Sequence, residues 1–360
     1  MSGKLGMSLV LTCYNRQEYI KEAILSVFAQ DYDGPMQLIV VDDASTDDSV
    51  RIIEETVKEH GEGWDVEIVK LKQNLGVAGA TDAGWAKAKH DWILMVDGDD
   101  VQMPGRCRLL AEAVCKHPDV VQVSFAMKYI DEQGHEFNTC SYGKLRYDVS
   151  PDELYIGTPA GNMENLFGGE AGRIRCMGAA FSRVLWDVWG PLCQDETEYL
   201  RFEQDPTLAF RAALMGPVLG VRNIALAWRM HGTNLSNMRL SPGLKGVLEF
   251  EKYQEKYQKF HADSIVCMLR DLRRARNDRR LTNWSEGMLN QAELYLKNEL
   301  NGCLIRYMWW SASYAERLRR SVFDWKKFKA SGTSVLRLLP FRLFCWMKYK
   351  KQQHDWARTR

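Results

Sequence analysis

The stretch Leu38-Ile-Val-Val-Asp-Asp43 combines a short, wholly apolar run with two carboxylates at its end. Consecutive aliphatic residues of this kind are typical of a strand that is buried on both faces of a parallel sheet. A second such run, Trp92-Ile-Leu-Met-Val96, is followed by Asp97-Gly-Asp-Asp100. The carboxyl ends of parallel strands meet at one edge of a sheet, where ligands bind. The sequence therefore predicts two acidic clusters at the same functional edge.

Helical and strand patterns alternate around these two runs, over roughly the first third of the chain. Asn15 is a candidate N-cap for the first helix, and Ser45 or Thr46 for the second. Strands separated by helices indicate βαβ units, and hence an α/β fold with a mostly parallel central sheet flanked by helices. Strands are predicted at residues 8–12, 38–41, 66–71, 92–96 and 120–125.

The pattern changes near residue 240. Ser241-Pro-Gly243 interrupts the chain, and apolar residues then recur at helical spacing from Val247 onward. We therefore predict an α/β domain over residues 1–240 and a helical C-terminal region over residues 241–360.

Charge and composition restrict the class of protein. The 360 residues include 48 Lys and Arg against 47 Asp and Glu, a formal net charge of +1, which argues against nucleic-acid binding through bulk charge. No apolar run approaches the ~20 residues needed to cross a bilayer, and the N-terminus lacks a signal-peptide core. The nine cysteines have no metal-ligand spacing. We expect a cytoplasmic protein with reduced thiols.

The spacing of Asp97 and Asp99 suits a hard divalent cation. Carboxylates separated by one glycine can reach such an ion from two sides, and Mg²⁺ or Mn²⁺ held in this way often also binds substrate phosphates. A nucleotide diphosphate is therefore the obvious candidate. The sequence has neither a P-loop nor a dinucleotide-binding glycine motif, which argues against P-loop ATPases and NAD enzymes. For either acidic cluster taken alone, a solvated turn is the alternative interpretation.

Six short segments follow one another in an informative order. They are Leu11-Thr-Cys-Tyr-Asn-Arg16, Val40-Val-Asp-Asp-Ala-Ser-Thr-Asp47, Asn74-Leu-Gly-Val-Ala-Gly79, Ile93-Leu-Met-Val-Asp-Gly-Asp-Asp100, Asp205-Pro-Thr-Leu-Ala-Phe-Arg-Ala212 and Trp228-Arg-Met-His-Gly-Thr-Asn-Leu-Ser236. Together they resemble the nucleotide-sugar half of family 2 glycosyltransferases, of the kind that builds bacterial polysaccharide, O-antigen or capsule. The resemblance implies the GT-A nucleotide-diphospho-sugar transferase fold, here with an α-helical C-terminal extension.

The resemblance also implies which residues hold the nucleotide. Tyr14 would stack on the base, and Asp43 would accept a hydrogen bond from its imide N–H, which favours uracil. A packed aromatic is the alternative for Tyr14. Other residues implied in nucleotide binding are Thr12, Asn74, Gly79 and Asp97.

The same resemblance implies a metal and its ligands. Asp97, Asp99 and His231 would bind the Mn²⁺ or Mg²⁺ that bridges the donor diphosphate, although a structural hydrogen-bonding role is the alternative for His231. Gly178, which precedes a helix-like stretch at residues 181–188, would face the donor sugar or the acceptor.

Asp205 is the implied general base. The family usually has Glu before the base, whereas this sequence has Gln204 there and Glu203 one place earlier. A slipped register would make Glu203 the base, but the spacing to Leu208 and Arg211 favours Asp205. A base on the acceptor side permits direct displacement, and the resemblance implies that the anomeric configuration inverts.

The expected function is metal-dependent transfer of a sugar, carried by a UDP-sugar donor, to a hydroxyl of a glycan or lipid-linked saccharide acceptor. A nucleotidyltransferase is one alternative, although the segment Leu9–Arg16 has no glycine for the phosphate loop that such enzymes use. A non-catalytic sugar-nucleotide-binding scaffold in a glycan assembly complex is another.

The C-terminal tail, residues 331–360, has seven basic residues and one acid interleaved with Leu, Phe and Trp. This composition suits an interfacial helix on an anionic membrane, which would place the protein on the inner face of the cell membrane. A basic face that packs on the catalytic domain is the equal alternative. We expect no nucleic-acid partner, because no recognition motif accompanies the charge.

Overall fold

The computed structural model describes residues 4–136, 153–156, 178–193, 204–232, 244–277 and 284–311. Glu203 and the basic tail lie outside these ranges, so the slipped-register alternative and the membrane-surface hypothesis both stay predictions. The described helices are α1 (Ile20–Phe28), α2 (Ser49–His60), α3 (Gly76–Trp85), α4 (Arg106–Lys116), α5 (Val184–Trp189), α6 (Gln204–Met215), α7 (Leu244–Asn277) and α8 (Glu286–Ser311).

Within the described ranges, the strands form one sheet. They are β1 (Met7–Cys13), β2 (Met36–Asp42), β3 (Asp65–Lys70), β4 (Trp92–Asp97), β5 (Val101–Gln102), β6 (Gln122–Ile130), β7 (Glu153–Ile156), β8 (Ala180–Ser182) and β9 (Val218–Arg229). The spatial order is β3-β2-β1-β4-β8-β6-β9-β5, with β7 paired to β9.

The sheet has a parallel half and a mixed half. β1 pairs in parallel with β2 and with β4, and β2 pairs in parallel with β3. β8 runs antiparallel to both β4 and β6, whereas β6 and β9 are parallel. The parallel half agrees with the predicted βαβ units. The stretch at residues 181–188, which looked helical in sequence, instead begins in strand β8 and becomes helical at α5.

The core explains why the apolar runs form strands. Leu9, Leu38 and Leu94 of the three central strands are completely buried, and they belong to one hydrophobic cluster with Ile20 and Ile24 of α1. Each fully buried side chain of this size stabilises the fold by roughly 1.5–3 kcal/mol relative to an exposed one. This packing holds the strand ends in fixed positions.

The chain divides into two compact units. The first comprises Met1–Arg229 with Cys267–Ala292, and the second comprises Met230–Val266 with Glu293–Arg360. The predicted helical character after residue 243 is observed in α7 and α8. The domain boundary at residue 240 and the cytoplasmic location stay predictions. None of the described helices combines the length and apolar character that a membrane span requires.

Candidate active site

The carboxyl ends of β1, β2 and β4 lie side by side. In the strand register Thr12 pairs with Asp97, and Cys13 pairs with Asp42. The amide N–H of Asp43 donates to the carbonyl oxygen of Cys13 at 2.8 Å. Both acidic clusters therefore emerge at one edge of the sheet, on either side of β1, as the sequence predicted.

Gly98 allows the chain to turn tightly after β4. Its N–H donates to the carbonyl oxygen of Thr12 at 3.0 Å. A Cβ at this position would lie only 2.9 Å from that same oxygen, closer than a side-chain carbon can approach a backbone oxygen without displacement. The glycine between Asp97 and Asp99 thus allows a tight turn against the end of β1, and both carboxylates project from this turn.

The residues Asp97–Asp100, here called the acidic turn, concentrate negative charge in a poorly solvated place. Desolvation and the Asp99 carboxylate raise the pKa of Asp97 to about 6, while Arg16 and Arg106 act in the opposite direction. Burial, followed by the charges of Asp99 and Asp97, raises the pKa of Asp100 well above its ordinary value. The acidic turn is therefore an environment that a cation stabilises.

Arg16 supplies one such positive charge. Its Nε donates to Oδ2 of Asp99 at 2.8 Å, across 83 residues of sequence. Both side chains are largely buried, with 18% and 11% of their surfaces exposed. The sequence analysis assigned Arg16 no role; the available signal was its place at the end of the first of the six family-like segments, directly after Tyr14 and Asn15.

Arg229, the last residue of β9, anchors the backbone of the acidic turn. Its Nε donates to the carbonyl oxygen of Asp99 at 2.9 Å, and its own N–H donates to Oδ1 of Asp100 at 2.9 Å. The guanidinium also pairs with Glu22 of α1 and lies 5.1 Å from the ring centroid of Tyr19. This buried arginine therefore fixes the acidic turn to both β9 and α1.

The predicted nucleotide-binding residue Asp43 is hydrogen-bonded to Asn74, another predicted nucleotide contact, and to Leu75. Oδ1 of Asp43 accepts the N–H of Leu75 at 2.7 Å, and Nδ2 of Asn74 donates to the carbonyl oxygen of Asp43 at 3.3 Å. Burial raises the pKa of Asp43 to about 6, partly offset by the N–H groups of Leu75 and Gly76. The end of β2 is thereby tied to the start of α3, in which Gly79 is buried.

The loop that carries Tyr14 is joined by hydrogen bonds to the loop that follows β2. The N–H of Asn15 donates to Oγ of Ser45 at 2.9 Å, and Oδ1 of Asn15 accepts the N–H of Thr46 at 2.8 Å. Asn15 has a left-handed φ of 52° and does not cap α1, which begins at Ile20. The N-cap position of α2 is Asp48, so the predicted caps Ser45 and Thr46 are also wrong, and both residues bond to Asn15 instead. Tyr14 itself is 43% exposed, and its stacking on a base stays a prediction.

Gly178 is tied to β4 through a buried arginine. Nη2 of Arg106 donates to the carbonyl oxygens of both Gly178, at 2.6 Å, and Met95, at 3.0 Å. Burial lowers the pKa of the Arg106 guanidinium to about 10. Gly178 has a φ of 60°, and an added Cβ would lie 2.7 Å from a methyl carbon of Leu226. Its proposed contact with sugar or acceptor stays a prediction.

The remaining predicted site residues are Asp205 and His231. Asp205 is half-buried in the first turn of α6, where the positive end of the helix dipole favours a carboxylate. His231 is buried, with 2% of its surface exposed, and belongs to the second unit. The roles of Asp205 as base and of His231 as metal ligand stay predictions.

The donor set of the acidic turn fits a hard divalent cation. Among the residues that the structure describes, no cluster of three or more His, Cys, Asp or Glu is arranged to hold a metal. Mg²⁺ and Mn²⁺, however, commonly bind through one or two carboxylates and complete their coordination with substrate phosphates and water. Asp97 and Asp99 offer such a pair at an edge where charge is poorly solvated.

The parallel half-sheet that ends in an aspartate pair, continued by a mixed half-sheet, agrees with the predicted class of GT-A nucleotide-sugar transferases. Residues 8–189, just over half of the chain, match the family described as glycosyl transferase family 2. The chain therefore belongs to this family, and the family predicted from the sequence is confirmed.

Curated relatives share only part of their length with this chain. Poly-beta-1,6-N-acetyl-D-glucosamine synthase of Staphylococcus epidermidis is 32% identical over 96 residues, which are 27% of this chain and 22% of that protein. An uncharacterised glycosyltransferase of Nostoc sp. is 26% identical over 238 residues, 63% of this chain and 66% of the relative. The matched part thus spans less than two thirds of either relative.

Solved structures resemble the chain over nearly its whole length. The S. aureus TarS fragment 1–349 in complex with UDP-GlcNAc has a TM-score of 0.53 and 14% identity, covering 98% of this chain and 92% of that fragment. The mannosyltransferase PcManGT of Pyrobaculum calidifontis, in complex with GDP-Man and Mn²⁺, has a TM-score of 0.51 and 14% identity, covering 97% and 88%. Identities this low concern the fold alone, and the predicted GT-A fold is confirmed.

Proposed function

We propose that this protein transfers a sugar from a UDP-sugar to a hydroxyl of a glycan or lipid-linked saccharide, with inversion. One observation carries the proposal: the two acidic clusters, at Asp43 and at Asp97–Asp99, emerge beside one strand end in a family 2 fold. Relatives and neighbours support it, because one relative is named a polysaccharide synthase and solved neighbours hold UDP, UDP-GlcNAc or GDP-Man.

The nucleotide is bound by the edge between β1 and β2. The exposed ring of Tyr14 stacks on the base, as aromatic rings commonly do, and the Asp43 carboxylate accepts the uracil imide N–H. The side-chain amide of Asn74 donates to the backbone carbonyl oxygen of Asp43 and so holds Asp43 in position. The other nucleotide contacts in this proposal are Thr12, Gly79 and Asp97.

The diphosphate is held at the acidic turn. Asp97 and Asp99 hold Mn²⁺ or Mg²⁺ in this proposal. When bound, such an ion offsets the negative charge that develops on the departing diphosphate. Gly98 and Arg229 fix the backbone from which the two carboxylates project, so the ligands are positioned before the donor arrives.

Asp205 acts as the general base on the acceptor side. A carboxylate within hydrogen-bond reach of the attacking hydroxyl accepts its proton as the new glycosidic bond forms and the bond to the diphosphate breaks. Because the hydroxyl attacks opposite the leaving group, the anomeric configuration inverts. Gly178 faces the donor sugar or the acceptor in this arrangement.

A panel of nucleotide sugars tests the proposed function. We expect UDP-sugars, with Mn²⁺, to raise the melting temperature more than GDP- or dTDP-sugars, because ligand binding to the native state stabilises it by mass action. Release of UDP on addition of acceptor separates an enzyme from a non-catalytic binding scaffold. Stabilisation by GDP-sugars alone would refute the choice of uridine.

The preference for uracil should depend on pH through Asp43. The pKa of this carboxyl is raised to about 6, so the group is ionised at pH 7.5 and accepts the imide N–H of uracil with a charge-assisted bond. Protonation below about pH 6 removes that charge. We expect the ratio of UDP to CDP affinity, measured by calorimetry with Mn²⁺, to fall by roughly three- to tenfold between pH 7.5 and 5.0.

The ratio of the UDP affinity to the CDP affinity cancels the titration of the phosphates, which both nucleotides have, and the titration of the acidic turn. The Asp43→Asn variant serves as the control, since its amide does not titrate and its ratio should stay constant over the same range. A wild-type ratio that is equally constant would show that Asp43 does not read the base.

A further inference from the structure

One cation already occupies the carboxylate that the proposed function assigns to the metal. Nε of Arg16 donates to Oδ2 of Asp99 at 2.8 Å, and more than four fifths of both side chains are buried. Ion pairs that are this well shielded from solvent are screened less than surface pairs. Arg16 therefore stabilises Asp99 in the nucleotide-free protein.

The backbone of Arg16 is held independently of this ion pair. Its N–H donates to Oγ of Ser49 at 2.8 Å, and its carbonyl oxygen accepts the N–H groups of Tyr19 and Ile20, each at 2.9 Å. These bonds connect the residue to the first turns of α1 and α2. A change of partner for the guanidinium therefore needs rotation of the side chain alone, with no rearrangement of the backbone.

The guanidinium lies between the acidic turn and the loop that carries Tyr14. While Nε contacts Asp99, Nη1 donates to the carbonyl oxygen of Asn15 at 3.2 Å. In the proposed function the base stacks on Tyr14 and the diphosphate is held at the acidic turn. The Arg16 guanidinium thus lies beside the proposed diphosphate site. A guanidinium is well suited to bind phosphate oxygens.

We propose that Arg16 is a resident cation of the acidic turn, which holds Asp99 in the absence of donor and moves to the donor diphosphate when a divalent cation takes its place. Two cations on one carboxylate oxygen repel each other, so Arg16 competes with the metal. The diphosphate removes this competition by offering the guanidinium a second anion. Metal and donor therefore bind cooperatively, and the coupling is reciprocal.

This inference rests on the proposed role of Asp99 as a metal ligand, and it makes a prediction about Mn²⁺ alone. We expect the Arg16→Gln variant to bind Mn²⁺ about five- to tenfold more tightly than the wild type in the absence of nucleotide, because the competing ion pair is lost. UDP should strengthen Mn²⁺ binding to the wild type more than to the variant.

The experiment is an electron paramagnetic resonance titration of free Mn²⁺ with the full chain, with and without UDP. Arg16→Lys retains the charge and should stay closer to the wild type than Arg16→Gln does. Arg51→Gln removes the same charge from the exposed face of α2, where Arg51 pairs with Asp48 and Glu55, and should leave Mn²⁺ affinity unchanged. Arg16→Met, which keeps the apolar stem, is measured alongside in case Arg16→Gln does not fold.

The outcomes separate this inference from the proposed function. Tighter Mn²⁺ binding by Arg16→Gln or Arg16→Met, together with a reduced effect of UDP, supports the resident cation. If Arg16→Gln and Arg16→Met bind Mn²⁺ as tightly as the wild type, or more weakly, the resident-cation inference is wrong while the metal site stands. Absence of Mn²⁺ binding from every variant, with UDP present or not, instead refutes the metal site of the proposed function and this inference with it.

Discussion

Replacement of Asp205 by asparagine is expected to lower the rate of sugar transfer by about 10²- to 10⁴-fold, the usual contribution of a positioned general base. Asparagine keeps the size of the side chain but cannot accept the proton of the attacking hydroxyl. Donor binding should be unaffected, since the base acts on the acceptor. Steady-state release of UDP measures the rate, and calorimetry with a UDP-sugar measures the binding.

The helix that carries Asp205 is firmly packed, so we expect the variant to fold. Arg211, two turns further along α6, donates from Nε to Oδ2 of buried Asp271 at 2.7 Å. Its Nη groups bond the carbonyl oxygens of Gly190 and Pro191 at 2.8 and 3.0 Å. These contacts do not involve Asp205, and the melting temperature of Asp205→Asn should therefore stay within a few degrees of the wild type.

The control for this prediction is Glu203→Gln, which tests the slipped register. If Asp205 is the base, Glu203→Gln should retain activity. Full turnover by Asp205→Asn together with a large loss in Glu203→Gln would transfer the role to Glu203. Full turnover by both variants would contradict base catalysis by this segment.

Removal of the Asp99 carboxylate is expected to abolish the effect of Mn²⁺ on donor binding. Loss of groups that only support a metal ligand typically costs 10- to 100-fold in affinity, so loss of a ligand itself should cost at least ~100-fold. In Asp99→Ala, calorimetry with a UDP-sugar should give the same weak affinity with and without Mn²⁺. The wild type should bind the donor much more tightly when Mn²⁺ is present.

Asp65→Ala is a matched control for this loss of charge. Asp65 begins β3, at the opposite end of the strand from the functional edge, and pairs with Lys89 on the surface. Its variant should keep the full response to Mn²⁺. An Asp99→Ala protein that still responds to Mn²⁺ like the wild type would exclude Asp99 as a ligand.

The parallel half of the fold could be predicted because its signals are local. The run Leu38–Val41 and the run Trp92–Val96 are apolar on both faces, and each is buried as expected of a central strand. The carboxylates that follow them had to reach the same edge once the strands were parallel. The position of Asp43 and of the acidic turn at this edge thus followed from periodicity and topology alone.

The mixed half and the charge network depend on contacts between distant residues. Strand β8 has only three residues, Ala180–Ser182, and its neighbours β4 and β6 determine that the segment is extended rather than helical. Arg16 meets Asp99 across 83 residues, and Arg229 meets the acidic turn across about 130. No spacing rule in a single sequence indicates such pairs.

The clasp between the loops at Asn15 and Ser45 has a thermodynamic consequence for any ligand that stacks on Tyr14. Both loops are already ordered by hydrogen bonds in the ligand-free chain, so the loss of backbone entropy was incurred during folding. Association then needs to immobilise little more than one aromatic side chain. Loss of the clasp should accordingly weaken ligand binding, because the loops would then be disordered in the unliganded protein and would have to be ordered on binding. Every direct contact to the ligand would still be available.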